Sequence, residues 1–597
     1  MKKKLIQVVV VLVLMAVIAG GAGIHMLMEK YRPTTERMDL NTYFKVEDAD
    51  TENVLLFLQD ENLLPTLTES RLKYLEGDLY ISYELVKDRC TERFYWDESA
   101  QLMVYTTAYD VYKLPLDSKR YTVNEEEKEY SCDIVKRIED VLYMSLDYVQ
   151  EHADIYYEVY ESPARVMLYD TWGELPYTEA AEEGVIRVLG GIKSEILADV
   201  AAGEKLLVRY VMDEWACVQN MFGVQGYIEK AVLGGETKSL TLLNAAYEEP
   251  AYPSLAYERE EKVNLVWHQM GGECDGGVLE NAMNGINGVN VVSPTWFFMC
   301  DNNGNIHSLA NRDYVSRAHS MGMEVWGLVE NMTYDISTYE TLSRMESREH
   351  LEEELISHAL EYGLDGINVD IEEISYDTGE AYIQFIRELS IKCRANGLVL
   401  SVANYVPTAS SEHYNRKEQG IVADYIIIMG YDEHYAGMSE AGSTASLGFV
   451  KAGIENTLKE VPKEKVINAV PFYTRIFKQI PENAATKEQM AYLPLVEDNS
   501  SEYGRYLLDS TAVSMGQAQK LLADYHVTPV WNEALGQYYG EYTDNGCKYL
   551  VWLEDETSIG LKVDLIREND LAGVAAWSLN LAKSGIWDTI STHMKQE

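Results

Sequence analysis

Three observations predict that this 597-residue chain is an α/β protein: a (β/α)8 TIM-type barrel preceded by small all-β domains. Eight near-continuous apolar runs occupy residues 263–270, 289–299, 324–330, 366–372, 398–405, 425–431, 466–473 and 574–579. Runs of this kind are expected of strands buried on both faces. Stretches between them, such as residues 349–362 and 382–395, carry apolar residues at helical spacing, and eight strands alternating with helices close into a barrel. The interval from the seventh run to the eighth is much longer than the others, about 100 residues. It holds Trp531, Gly536, Tyr538, Tyr539 and Tyr542, which predict a hairpin-bearing α+β insertion between strands 7 and 8.

An apolar content of 47% is enough for several packed cores and excludes a disordered chain. The formal charge of −47 argues against a nucleic-acid partner, because a phosphate backbone would be repelled. The acid is spread along the chain, so it also reads simply as a solubilising surface. Cys90, Cys132, Cys217, Cys274, Cys300, Cys393 and Cys547 lie far apart with no CxxC pair. They predict neither a zinc site nor a disulfide framework, and no cofactor is called for.

At the amino end, Lys2, Lys3 and Lys4 precede residues 5–28, a run free of Asp, Glu, Lys and Arg. It is long enough to cross ~30 Å of hydrocarbon as a helix. Residues 1–31 are thus expected to be a single-pass membrane anchor, with the rest of the chain outside the cytoplasm by the positive-inside rule. The small cluster from Ala19 to Gly23 leaves open a cleaved signal peptide and a secreted protein.

Residues 32–170 read as a strand-rich stalk, with strands at 79–85, 102–114 and 141–146. Its single histidine, His152, supplies no metal cluster. The segment loosely resembles the stalk repeat named after the amino-terminal domain of copper amine oxidases. Residues 178–233 contain short strand patterns at 185–188, 206–212, 215–218 and 225–228, with Gly203 and Gly223 at turns. Trp215 before a strand and Gly226, Tyr227 and Ile228 near the end resemble bacterial Src-homology-type wall-binding barrels. A packing spacer with Trp215 in its core is the plainer reading. An acidic linker, residues 248–261 with Pro250 and Pro253, then leads to the barrel, residues 262–597.

The fourth apolar run carries the chemistry. Residues 364–373 read LDGINVDIEE, so Ile367, Val369 and Ile371 alternate with Asn368, Asp370 and Glu372. In a strand, alternate side chains share a face, so one face is apolar and the other polar. The bases of Asp370 and Glu372 are then roughly 6.6 Å apart, within reach of one substrate group. By pattern alone, a solvated edge strand or a calcium loop would look similar.

Asp365, Gly366, Asp370 and Glu372 resemble the Asp-Gly-x-Asp-x-Asp-x-Glu signature of glycoside hydrolase family 18, the chitinases and related N-acetylglucosaminidases. Asn368 departs from it, standing where most members have the inner Asp. The sixth run ends in Met429, Gly430, Tyr431 and Asp432, matching the family's Met-x-Tyr-Asp motif. In such barrels the site lies at the carboxyl ends of the strands. There the chain places Glu372, Asn404, Tyr405, Tyr431, Phe472, Tyr473 and Trp577.

The resemblance implies substrate-assisted chemistry, in which the substrate's own 2-acetamido oxygen is the nucleophile. Glu372 would be general acid and then base, Asp370 would orient the acetamido group, and the Tyr431 hydroxyl would assist. Trp577 would floor the reacting sugar. Asn368, Asp432, Met429, Asn404 and Tyr473 complete the expected substrate contacts. The substrate class is a polysaccharide containing N-acetylglucosamine: peptidoglycan, given the wall-binding resemblance, or chitin. The other readings are a lectin-like surface protein on a degenerate barrel and an adhesin that binds glycan without turnover. Retention of Glu372 argues against a degenerate site.

Overall fold

The computed structural model describes residues 2–46, 52–272, 275–498, 500–583 and 585–595. Cys274 lies outside the described residues; the other six cysteines are free thiols. The chain divides into two units.

The first unit comprises Met1–Phe94, Leu114–Tyr121 and Glu127–Glu249. It opens with the helix Lys2–Tyr31, none of whose residues is buried and which is long and apolar enough to cross a membrane. Two seven-stranded sheets follow. In the first, Asn53–Gln59 pairs in parallel with Arg165–Tyr169 and antiparallel with Pro65–Leu75. In the second, Lys205–Val211, Trp215–Asn220 and Gln225–Glu229 form an antiparallel meander, with Gly203 in the turn before it and Gly223 in the turn between its last two strands, at φ of +82° and +80°. Gly173–Ala180 pairs along Leu233–Leu242, so the sheet reaches beyond residues 178–233. Phe57 and Met167 of the first sheet and Val218 and Ile228 of the second belong to one hydrophobic core. A buried Gln219 side chain also donates to the Pro65 carbonyl at 2.8 Å.

The second unit comprises Tyr95–Lys113, Thr122–Glu126 and Pro250–Glu597. Its barrel strands, here β1 to β8, are Val263–His268, Val291–Met299, Glu324–Glu330, Gly366–Asp370, Val399–Tyr405, Tyr425–Met429, Val466–Pro471 and Gly573–Trp577. Each pairs in parallel with the next, and β8 closes on β1. Continuous burial of the strands explains why they read as apolar runs: every residue of β4, β6 and β7 is buried. Gly366 opens β4 because a Cβ there would lie 2.7 Å from the Val399 carbonyl oxygen. Only a residue without a side chain admits that approach.

The helices Met345–Tyr362 and Gly379–Ala395 lie where the periodicity places them. Between them Arg348, fully buried, bonds Glu388 at 2.8 Å and Asp97 at 3.1 Å. Asp97 thus ties a segment from the amino-terminal half of the sequence into the second unit. A buried charge of this kind is tolerated only when it is paired. The insertion after β7 is a six-stranded sheet with helices Lys487–Tyr492 and Met515–Asp524. Val530–Asn532 and Gln537–Asp544 form its hairpin, with Trp531 opposite Tyr538.

Candidate active site

One residue, Ile371, separates the buried end of β4 from the acid at the rim. Asp370 is the last residue of β4 and only 8% exposed. Its Oδ1 is buried without a hydrogen-bond partner. Burial, then the neighbouring Glu372 and Glu330, push its pKa well above the usual carboxylate range. A carboxylate in such a position favours holding a proton or turning towards an incoming donor.

Glu372 lies past the end of the strand, half-buried, and its position is fixed from two sides. The Asn331 side chain clasps its backbone: Nδ2 donates to the Glu372 carbonyl at 2.9 Å, and the Glu372 N–H donates to Asn331 Oδ1 at 2.9 Å. This extends the strand's pairing by one amide mimic after β4 has ended. From β5, the Tyr405 hydroxyl donates to Glu372 Oε2 at 2.7 Å. Burial raises the Glu372 pKa, the Tyr405 hydrogen bond opposes it, and Asp432, Glu373 and Glu330 raise it further.

The expected strand register needs one correction here. The apolar run suggested a strand through Glu372 with Glu373 on the opposite face. Instead β4 stops at Asp370, and Glu373 is exposed in a left-handed turn at φ +51°. The turn, not strand alternation, separates Glu372 from Glu373.

The opposite side of the rim comes from β6 to β8. Met429 ends β6 and is buried. Tyr431 is buried, and its ring meets Tyr473 edge-on at 6.1 Å. Burial first, then Tyr473, Asp370, Glu372 and Asp432, hold its hydroxyl protonated to well above the ordinary phenol range. Asp432, at φ +57°, accepts from the Tyr473 hydroxyl at 2.6 Å. Its Oδ1 is 3.8 Å from Arg475 Nε, on the first strand of the insertion. Trp577 ends β8, half-buried, and tilts against Trp267 of β1 at 5.7 Å.

Two expected substrate contacts are placed elsewhere. Asn368 is 0% exposed. Its Oδ1 accepts from Trp267 Nε1–H at 2.8 Å, and its Nδ2 donates to Ser401 Oγ at 3.0 Å. The amide is occupied by the barrel interior beneath Asp370. Asn404 is likewise buried and exchanges hydrogen bonds of 2.7 and 3.2 Å with Gln419 on the helix Arg416–Val422. The period of two explains the miss: with Ser401 turned into the barrel towards Asn368, Asn404 faces the outer helix and Tyr405 the inside.

Glu330, Asn331, Trp267 and Arg475 were not singled out from sequence. The pair Glu330 and Asn331 sits at the carboxyl end of the third apolar run, where polar residues are themselves a signal. The two hydrogen bonds of the Asn331 clasp and the Trp267 bond to Asn368 are non-local and left no local trace.

Comparisons with known proteins match the same part of the chain. Residues 320–582 match the model described as Glycosyl hydrolases family 18. The chain is 24% identical over 308 residues to the uncharacterized glycosylase YvbX of Bacillus subtilis (strain 168), covering 49% of this chain and 81% of that one. It is 26% identical over 245 residues to the cortical fragment-lytic enzyme of the same organism, covering 40% of this chain and 52% of that one. It thus spans about half the length of that second relative. The crystal structure of the Bacillus megaterium QM B1551 spore cortex-lytic enzyme SleL is also similar, with 21% identity, 56% of this chain and 76% of that chain covered, and a TM-score of 0.47. From just before β3 through the insertion to β8, this chain therefore carries a domain that matches glycosyl hydrolases family 18.

Proposed function

We propose that the chain hydrolyses β-1,4 linkages next to N-acetylglucosamine in bacterial wall peptidoglycan, with retention and with the substrate's acetamido group as nucleophile. The observation that carries this reading is the placement of Asp370 and Glu372 two residues apart at one strand end. Ordinary glycosidases set their two carboxyl groups on either side of the scissile bond. Two groups from one strand end are poorly placed for that, whereas they suit one acid and one group that orients the acetamide.

In the first step the Glu372 carboxyl gives its proton to the glycosidic oxygen as the acetamido oxygen bonds to C1 and the C1–O bond breaks. In the second, Glu372 takes a proton from water, whose oxygen bonds to C1 as the acetamido oxygen leaves. The raised Glu372 pKa suits the first step. Asp370 faces the forming oxazolinium ion, the Tyr431 hydroxyl supports the acetamide, and Trp577 is the apolar floor. Asp432, Met429 and Tyr473 line the same rim.

Support for the wall as substrate comes from a relative named as a cortical fragment-lytic enzyme. The apolar helix Lys2–Tyr31, following Lys2 to Lys4, supports a membrane-anchored chain with its barrel outside the cytoplasm. Residues 178–233 serve in this reading as a wall-binding module. The test is to incubate the detergent-solubilised chain with purified peptidoglycan and with chitin oligomers, reduce the products and weigh them. Wall fragments ending in glucosaminitol are expected. Muramitol ends would reverse the sugar assignment, and cleavage of chitin alone would replace the wall as substrate.

A further inference from the structure

Neither signature motif includes Tyr405, the last residue of β5. Its hydroxyl nevertheless makes the one side-chain hydrogen bond recorded for the Glu372 carboxylate among the described residues, 2.7 Å to Oε2. The ring is anchored from behind, edge-on to Tyr414 at 5.9 Å and 82°. Tyr414 is in turn buried and receives the Ile374 N–H at 3.4 Å. Ring and acid are therefore held against each other by the segments that follow β4 and β5.

We propose that Tyr405 is the positioning residue of the acid: by holding Oε2, it assigns the other carboxyl oxygen, Oε1, to carry and return the proton. The inference rests on the reading of Glu372 as proton donor. Tyr405 keeps its own proton throughout, since burial and the adjacent Glu372 hold its hydroxyl far above the ordinary phenol range. It is thus a permanent donor, and its bond strengthens when Glu372 becomes a carboxylate after the first step. The charged and titratable groups facing Glu372 are Glu330 from β3, Asp370 and Glu373 from its own segment, Asp432 and Tyr431 after β6, and Tyr414. The acidic groups among them disfavour the carboxylate. Tyr405 favours it, so the hydroxyl sets how far the acid's pKa is raised.

Tyr405→Phe keeps the ring and its packing and removes only the donor. On soluble N-acetylglucosamine oligomers, kcat is expected to fall about 10- to 100-fold with KM within about 3-fold, the range of a hydrogen bond to a charged group. The basic limb of the kcat profile should move up by about 1 to 2 pH units, because the acid stays protonated to higher pH. A residue that only shaped the fold would lower kcat without moving that limb. Glu372→Gln is assayed beside it. An inactive Glu372→Gln enzyme with an unmoved limb in Tyr405→Phe overturns the role of Tyr405 alone; an active Glu372→Gln enzyme removes the acid on which it rests.

Discussion

Glu372→Gln should lower turnover by at least about 10²- to 10⁴-fold, the range that general acid catalysis contributes, while oligomer binding stays within a few-fold. The amide preserves the size of the side chain and its capacity to accept from the Tyr405 hydroxyl, and it leaves the Asn331 clasp untouched because that clasp grips only backbone. What it removes is the transferable proton. Glu373→Gln is the internal control. Glu373 is exposed in a turn, and its carboxylate acts on the site only through charge, so its replacement should change turnover little. Equal losses at the two positions, measured on the same oligomers, would mean that the acid has been misassigned.

Asp370→Asn should reduce turnover about 10²- to 10³-fold, as loss of a preorganised group facing developing charge does, and should at the same time stabilise the fold at neutral pH. The wild-type carboxyl is buried, has an unpartnered oxygen and lies beside Glu372 and Glu330. Its folded pKa is raised, so the folded state binds this proton more tightly than the unfolded state. Its contribution to stability is therefore present at low pH and is lost as pH rises from the ordinary carboxylate range through the folded value. An asparagine has no such loss. The melting temperature of Asp370→Asn relative to wild type should accordingly rise from pH 4 to pH 8; a difference that is flat with pH would mean that Asp370 is not held protonated. Such a gain in stability at the expense of activity is the usual mark of a strained functional group.

The barrel was legible because its strands are buried on both faces, which turns each into an unbroken apolar run. Their ends were less so. The run at 366–372 continues apolar through Ile371, yet the strand stops at Asp370 because the chain turns at Glu373. Asn404 and Tyr405 both end the fifth run. Only the alternation set by Ser401, which bonds inward to Asn368, shows that Tyr405 faces the acid and Asn404 the helix. Asn331 bonds Glu372 across 41 positions, and Arg348 bonds Asp97 across 251; contacts of that span leave no periodic mark. The second of these draws residues 95–113 into the barrel's unit, although their own pattern is that of the β-rich segment around them. Asn368 was visible as a departure from the signature, but its bonds to Trp267 and Ser401 show what the amide does: it fills the barrel interior and supplies no charge to Asp370.

The central claim is that one acid and the substrate's acetamido group suffice, and the configuration of the first product tests it most directly. Proton NMR of an N-acetylglucosamine oligomer during the first minutes of hydrolysis, before mutarotation, should show the β-anomer accumulating first, since two displacements at C1 restore the original configuration. Initial release of the α-anomer would require a single displacement by water activated from the far side of the sugar, and would contradict the assignment of Asp370 and Glu372.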